Sequence, residues 1–313
     1  MTNQADIQPK KMGSFKRSLE LTKSSWQVLR LEKNFLSIPL VGILLEVLLL
    51  ALAALILAGI AFGILALNGH NTKFLIDPHN QEQAKVAWQI IGYLLFFVLL
   101  LITFFVYSLV YGSIVHGASE RFKGNDPTLK SCFAAAYKKK RPLFLFSLFS
   151  ATIGTILQYF EDKNNWAVDI AVGIIGAAWS LGSLFAVPSI MASEKPIGPI
   201  DATKDSVKLV KKVWGETILV NGGVGIAGAL VWSAYSLFLT GIALVFGYFG
   251  LNNKYFLILL FLFIAGTLFI VLLFSVLGNI ARAAIFYWAT SGNEPSYFNK
   301  KTLQTSIEII NNK

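Results

Sequence analysis

The amino-acid sequence predicts an all-α, polytopic membrane protein with six transmembrane helices. Hydrophobic residues make up 55% of the 313 residues and charged residues only 14%, whereas soluble domains carry about 25% charged residues. The apolar residues also form six runs, each long enough to cross the ~30 Å hydrocarbon core, which takes about 20 helical residues. This composition excludes an ordinary soluble enzyme and a disordered chain. A single cysteine excludes an internal disulfide framework.

The six predicted spans divide the chain into three parts. In chain order the spans are Phe35–Leu67, Val86–His116, Pro142–Phe160, Trp166–Ala192, Thr217–Gly250 and Tyr255–Trp288. We therefore expect an N-terminal segment (1–34), a six-span transmembrane domain (35–288) and a C-terminal tail (289–313).

The distribution of basic residues predicts the orientation of these spans. Of the 27 Lys and Arg residues, 23 lie in the N-terminal segment, in 117–141, in 193–216, or in the last helix end and tail, and four lie on the opposite side. Because Lys and Arg accumulate in cytoplasmic loops, we expect both termini in the cytoplasm, with a bacterial inner (cell) membrane as the host. The net charge of +10 predicts contact with anionic lipid head groups on that face, and we expect no nucleic-acid partner.

Three polar segments, before spans 1, 3 and 5, have the periodicity of amphipathic helices. They are Ser14–Lys33, Asp126–Lys140 and Pro199–Val213. The first places apolar or small side chains on one stripe, namely Phe15, Leu19, Thr22, Trp26 and Leu29. Basic amphipathic helices of this kind are typical of the membrane interface, so we predict an interfacial helix before each of these three spans.

A short sequence pattern is shared by the first and third of these segments. Ser-x-x-Leu-x-Lys-x-x-Trp occurs at 18–26 and again at 206–214. Each pattern ends on a tryptophan, Trp26 or Trp214, that we interpret as an interfacial anchor because indole favours the head-group level. The pattern predicts three parallel repeats of interfacial helix, outward span and return span. The alternative is that any basic helix before a span has a similar composition.

Four motifs lie at or near the ends of the predicted spans. They are Gly13–Trp26, Gly124–Leu129 (Gly-Asn-Asp-Pro-Thr-Leu), Trp179–Pro188, and Gly198–Ala202 leading to Lys212–Glu216. On these motifs the chain resembles a family of uncharacterised multi-pass bacterial and archaeal membrane proteins. It is distantly similar to the membrane domains of some glycerophosphodiester phosphodiesterases. The resemblance implies packing and interface motifs over most of the chain, with no catalytic residue or cofactor to carry over.

Glu46 is the only charged residue of the first span. It lies about 16 Å along the helix from Phe35, near the bilayer midplane, where an ionised carboxylate is costly. We therefore expect Glu46 to be protonated, paired or facing water. Its predicted partners form an inner-leaflet polar cluster: Asn279 and Arg282 on one face of the sixth helix, and Asn221 on the fifth. The alternatives are that the long first span slides outward, leaving Glu46 near the interface, and that Arg282 reaches to the cytoplasmic surface.

The glycines of Gly223–Gly228 match the spacing GxGxxG but lie inside a span with no preceding strand. We interpret them as helix-packing residues, because a nucleotide fingerprint needs a strand-to-helix turn. Pro188 is predicted to kink the fourth span or to end its regular hydrogen bonding.

These observations favour two functions over an enzyme. The first is a non-catalytic scaffold or lipid-interacting membrane component, without metal or cofactor. The second is a transporter or permease for a small or lipid-like solute that uses Glu46 and Arg282. A transporter needs a polar cavity that reaches Glu46, whereas a scaffold has a dry interior. An intramembrane enzyme is disfavoured because the sequence lacks a catalytic constellation.

Overall fold

The computed structural model describes residues 14–67, 81–161, 165–248 and 253–298, and within these ranges the secondary structure is α-helix without any strand. The helices of this part of the chain are α1 (Ser14–Leu31), α2 (Asn34–Leu67), α3 (Gln81–Phe122), α4 (Leu129–Lys138), α5 (Lys140–Phe160), α6 (Trp166–Gly182), α7 (Ala186–Ala192), α8 (Pro199–Lys212), α9 (Trp214–Tyr248) and α10 (Asn253–Ser291). The predicted all-α class is confirmed.

Six helices of the described ranges are long and apolar enough to cross a membrane. They cover Asn34–Ile60, Gln89–Phe122, Lys140–Phe160, Trp166–Ala192, Gly223–Tyr248 and Lys254–Ser291, which confirms the predicted number. The second extends past His116, its predicted end, because Ala118 and Phe122 stay buried in the next turns. Within the described side chains, the fifth apolar stretch covers Gly223–Tyr248 of α9.

The three predicted short helices form close to their expected bounds. The α1 helix ends at Leu31 and α2 begins at Asn34. At this junction the backbone N–H of Phe35 donates to the carbonyl of Glu32 at 3.0 Å. The α4 helix begins only at Leu129, because Pro127 disfavours helical backbone at the residue before it. Their helical conformation is observed, and their position at a membrane interface stays a prediction.

The structure divides into two compact units, each with its own core. The first unit draws on the described residues of Met1–Leu36, Ile114–Thr128 and Lys208–Lys313. In it, α1 packs against α9 and α10, and α9 packs along α10. The C-terminal half of α10 supplies more buried side chains than any other helix of this unit, among them Val276, Ile280 and Ile285.

The packed face of α1 differs from the predicted stripe. Leu21, Ser25 and Val28 are at most 1% exposed, whereas Leu19 and Trp26 are 55% and 43% exposed. The helix therefore has two faces with apolar residues. Small Ser25 and compact Val28 allow close approach to neighbouring helices, and part of the predicted stripe is left at the surface.

The second unit comprises the described residues of Ser37–Ser113 and Leu129–Val207. In it, α5 packs against α6 and α7. Val106, Leu143, Phe185 and Ile190 are buried in this unit, and the Ser108 and Ser147 hydroxyls form a buried 3.1 Å hydrogen bond between α3 and α5. The predicted boundaries 1–34, 35–288 and 289–313 stay a prediction.

Candidate functional site

The residues of the predicted polar cluster belong to both units. Glu46 on α2 lies in the second unit, and Asn279 and Arg282 on α10 lie in the first. Asn221 is part of α9, but its side chain lies outside what the structure describes. The four-residue cluster therefore stays a prediction, and its two halves are described separately.

Glu46 has a partner that the sequence analysis missed. The Thr103 hydroxyl of α3 donates a 2.8 Å hydrogen bond to Glu46 Oε1. Glu46 is half-buried, and its neighbours Leu44 and Val47 are 71% and 60% exposed. The pair lies about 18 Å along α2 from the helix start at Asn34. The sequence contained one signal for this pair. Thr103 lies about as far from the predicted end of its span at His116 as Glu46 lies from the predicted start of its own span.

The two α10 residues of the cluster contact each other. Arg282 Nη1 donates a 3.0 Å hydrogen bond to Asn279 Oδ1, as residues three apart on a helix can. Asn279 is 2% exposed and Arg282 is half-buried. The Asn279 carbonyl oxygen therefore compensates in part for burying the guanidinium.

The two predicted tryptophan anchors differ in their place on the helices. Trp26 lies within α1, five residues before its end, and is 43% exposed. Trp214 is the first residue of α9, and its side chain lies outside the described part.

The fourth span is interrupted where Pro188 predicts it. Helix α6 ends at Gly182 and α7 begins at Ala186. Because proline has no N–H, the carbonyl of Leu184 four residues earlier loses its helical donor. The Tyr111 hydroxyl of α3 donates to that carbonyl at 3.4 Å, which replaces the missing bond.

The same interruption frees a backbone donor. The N–H of Phe185 bonds Ser206 Oγ at 2.8 Å, and both residues are 0% exposed. Irregular backbone at membrane depth is tolerated only where its polar groups are satisfied within the protein or by water. Ser206 and Tyr111 thus supply hydrogen-bond partners for the two backbone groups that the interruption leaves without helical ones. Ser206 belongs to the Ser-x-x-Leu-x-Lys-x-x-Trp pattern, but the sequence contained no signal for its partner.

An ionic contact ties the end of α1 to the end of α3. Arg121 Nη2 lies 3.1 Å from Glu32 Oε1, and Arg121 Nη1 contacts Asp126. The Glu32 and Arg121 side chains are only 9% and 13% exposed. Burial raises the pKa of Glu32, and the Arg121 charge opposes this shift. Gly124, with φ of +89°, makes the turn that brings Asp126 back toward Arg121.

Two lysines bind backbone carbonyls near the C-terminal ends of apolar helices. Lys139 Nζ, between α4 and α5, donates to the carbonyl of Ser193, which follows α7. Lys212 Nζ, at the end of α8, donates to the carbonyl of Ala289 in the last turn of α10 at 2.8 Å. A cation at a helix C-terminus also interacts favourably with the helix dipole.

The six apolar helices and the internally satisfied helix break are those of a polytopic α-helical integral membrane protein. The family model "Family of unknown function (DUF6159)" matches residues 90–296, and the chain belongs to this family. No curated protein and no solved structure matches the chain. The matched range includes Tyr111, Ser206 and Arg282, and Glu46 lies outside it.

Proposed function

We propose that this protein is a non-catalytic scaffold or lipid-interacting component of a membrane, and that its basic face contacts anionic head groups on the cytoplasmic side of that membrane. The observation that carries the proposal is the exposed surface of the short helices. α1 exposes Leu19 and Trp26 on the same helical face as Lys23 and Arg30, and α4 exposes Tyr137 beside Lys138. Apolar and basic side chains on one surface are what an anionic bilayer interface binds.

The proposed architecture is three parallel repeats, each made of an interfacial helix, an outward span and a return span. A contact at the same place in each repeat supports it. The residue that ends or follows the short helix reaches the C-terminal end of the second span: Glu32 to Arg121, Lys139 to the Ser193 carbonyl, and Lys212 to the Ala289 carbonyl. The residue types differ, so the three contacts share a position and not a sequence motif.

Further parts of the proposal rest on the sequence. The 23 basic residues predicted to share one side support cytoplasmic termini, and a bacterial cell membrane is the proposed host. The motifs near the span ends also support a proposed distant likeness to the membrane domains of some glycerophosphodiester phosphodiesterases. We propose no enzymatic activity, since the sequence lacks a catalytic spacing.

The lipid role is tested by the thermal unfolding of the full-length protein in nanodiscs. Discs containing phosphatidylglycerol should raise the unfolding temperature relative to phosphatidylcholine discs, because a ligand of the native state stabilises it. The rise should shrink in high salt, which screens exposed charges. Equal unfolding temperatures in the two lipids would overturn the lipid-interacting role.

The orientation is tested separately by labelling single cysteines in intact cells, in a Cys132→Ser background. Leu75→Cys and Lys163→Cys should react with an impermeant maleimide from outside. Asn125→Cys and Lys300→Cys should react only after permeabilisation. The opposite pattern would overturn the proposed topology.

The second candidate function is a transporter or permease for a small or lipid-like solute that uses Glu46 and Arg282. Its support is the carboxyl of Glu46 within an apolar helix, held by Thr103, together with an interrupted span, which is a feature of transporter binding sites. In the same background, Glu46→Cys should react with a charged methanethiosulfonate only if water reaches that depth. Reaction would favour the transporter, and protection the scaffold.

A further inference from the structure

We propose that the junction between α4 and α5 binds the phosphate of one anionic phospholipid, through a junction site formed by Lys138, Lys140 and Arg141. The inference rests on the lipid-interacting role proposed above and gives that role a location. Its ligand is a phospholipid with a net negative head group. The acyl chain would lie along the first turns of α5.

The charge around the junction site is predominantly positive. Residues 127–160 contain five basic residues and no acidic residue. Lys138, Lys140 and Arg141 are exposed, whereas the Lys139 ammonium is engaged by the Ser193 carbonyl. Glu194, which follows Ser193 in the chain, offsets one positive charge, and the three exposed cations leave the junction site with a net positive charge. A phosphodiester would gain up to three charge-assisted contacts here.

The aromatic ring of Tyr137 positions one of these cations. Lys140 Nζ lies 3.9 Å from the centroid of the Tyr137 ring, and this ammonium lowers the pKa of the Tyr137 hydroxyl. The Lys140 side chain is thus directed back across the junction toward α4, which also carries Lys138. A cation over an aromatic face is partly held in place before any ligand binds.

The backbone and the next turn of α5 add to the same site. The first turn of α5 contains no acidic residue, and the Lys139 side chain does not cap it, so the positive end of the helix dipole is not neutralised there. Phe144 and Leu145 are 41% and 47% exposed, about 6 Å further along the helix. This separation of a cationic surface from an apolar one matches the head group and first acyl carbons of a phospholipid.

The test is native mass spectrometry of the full-length protein titrated with phosphatidylglycerol or phosphatidylcholine. The site variant is Lys138→Gln/Lys140→Gln/Arg141→Gln. The matched control, Lys204→Gln/Lys208→Gln/Lys211→Gln, removes the same charge from the exposed side of α8. We expect phosphatidylglycerol to bind wild type and control within three-fold of each other, and the site variant at least ten-fold more weakly.

Other outcomes separate the junction site from the general lipid role. Equal weakening in the two triple variants would overturn the junction site and leave the lipid role standing. A wild type without preference for phosphatidylglycerol would overturn both. Displacement by soluble glycerol phosphate at the same concentration as the lipid would overturn a phospholipid ligand. If the triple variant fails to fold by circular dichroism, Arg141→Gln alone should still weaken binding at least three-fold, and unchanged binding would overturn the site.

Discussion

Ser206 on α8 accepts a 2.8 Å hydrogen bond from the backbone N–H of Phe185, at the point where the fourth apolar helix is interrupted. Both residues are fully buried. The hydroxyl therefore does for the broken helix what a backbone carbonyl does in an intact one. A helix that is not part of the fourth span thus satisfies the backbone donor that the interruption leaves free.

Replacing Ser206 by alanine should leave the Phe185 N–H buried without an acceptor. An unsatisfied buried donor costs about 1–3 kcal/mol, so Ser206→Ala should lower the free energy of unfolding in detergent by that amount. Thr203→Ala is the control on the same helix, because the Thr203 hydroxyl donates to the Pro199 carbonyl within that helix. Equal effects of the two substitutions would contradict the role given to Ser206.

Arg121 should stabilise the fold more at neutral than at acidic pH. Arg121→Gln removes the positive charge that compensates the Glu32 carboxylate, and a hydrogen bond to a charged group contributes about 1.5–3 kcal/mol. As the pH falls, Glu32 becomes protonated and the loss should shrink. The measurement is urea unfolding of wild type and variant at pH 7 and pH 4.5. A pH-independent difference would contradict this contact.

Glu32 should itself make the fold more stable as the pH falls. Because its folded-state pKa is raised, the native state holds this proton to higher pH than the unfolded state does. The associated stability is present below the unfolded pKa and lost as the pH rises through the folded one. The free energy of unfolding of wild type minus that of Glu32→Gln should therefore increase between pH 7 and pH 4. A decrease over this interval would show that the Arg121 charge outweighs burial.

Gly228 should be intolerant of a methyl group where Gly225 tolerates one. A Cβ at Gly228 would lie 2.9 Å from Phe274 Cγ on α10, whereas a Cβ at Gly225 meets no described atom within 4 Å. Cγ lies near the root of the side chain and cannot swing away as a ring tip can. Gly228→Ala should destabilise by about 1–3 kcal/mol, and Gly225→Ala should stabilise by up to about 1 kcal/mol. Thermal unfolding in detergent measures both.

Thr103→Val should loosen α2 from α3 by removing the hydroxyl that bonds Glu46. Interhelical hydrogen bonds in membranes contribute about 0.6 kcal/mol and at most ~1.7, so a loss in that range is expected. Thr152→Val is the matched control, because Thr152 bonds the Leu148 carbonyl of its own helix. Unfolding in increasing dodecyl sulfate measures the stability of the two variants. An equal loss of stability in both would contradict a stabilising role for the Glu46–Thr103 hydrogen bond.

The glycine pattern shows how far sequence reasoning extends. The rejection of a nucleotide loop at Gly223–Gly228 followed from the absence of a strand in that region of the sequence, and α9 is helical there. Which glycine packs closely was not predictable, because it depends on the side chain that the neighbouring helix presents. Gly228 meets Phe274, and Gly225 meets no described atom.

The sequence by itself determined the class, the six apolar helices, the three short helices and the place where Pro188 interrupts the fourth span. All of these depend on properties local to the chain: the length of an apolar run, helical periodicity and a missing N–H. Only the tertiary structure decided that Thr103 bonds Glu46, that Ser206 and Tyr111 satisfy the interruption, and that Arg121 binds Glu32. These pairs are 21 to 89 positions apart, and contacts over such separations depend on how helices pack, which single-chain periodicity does not specify.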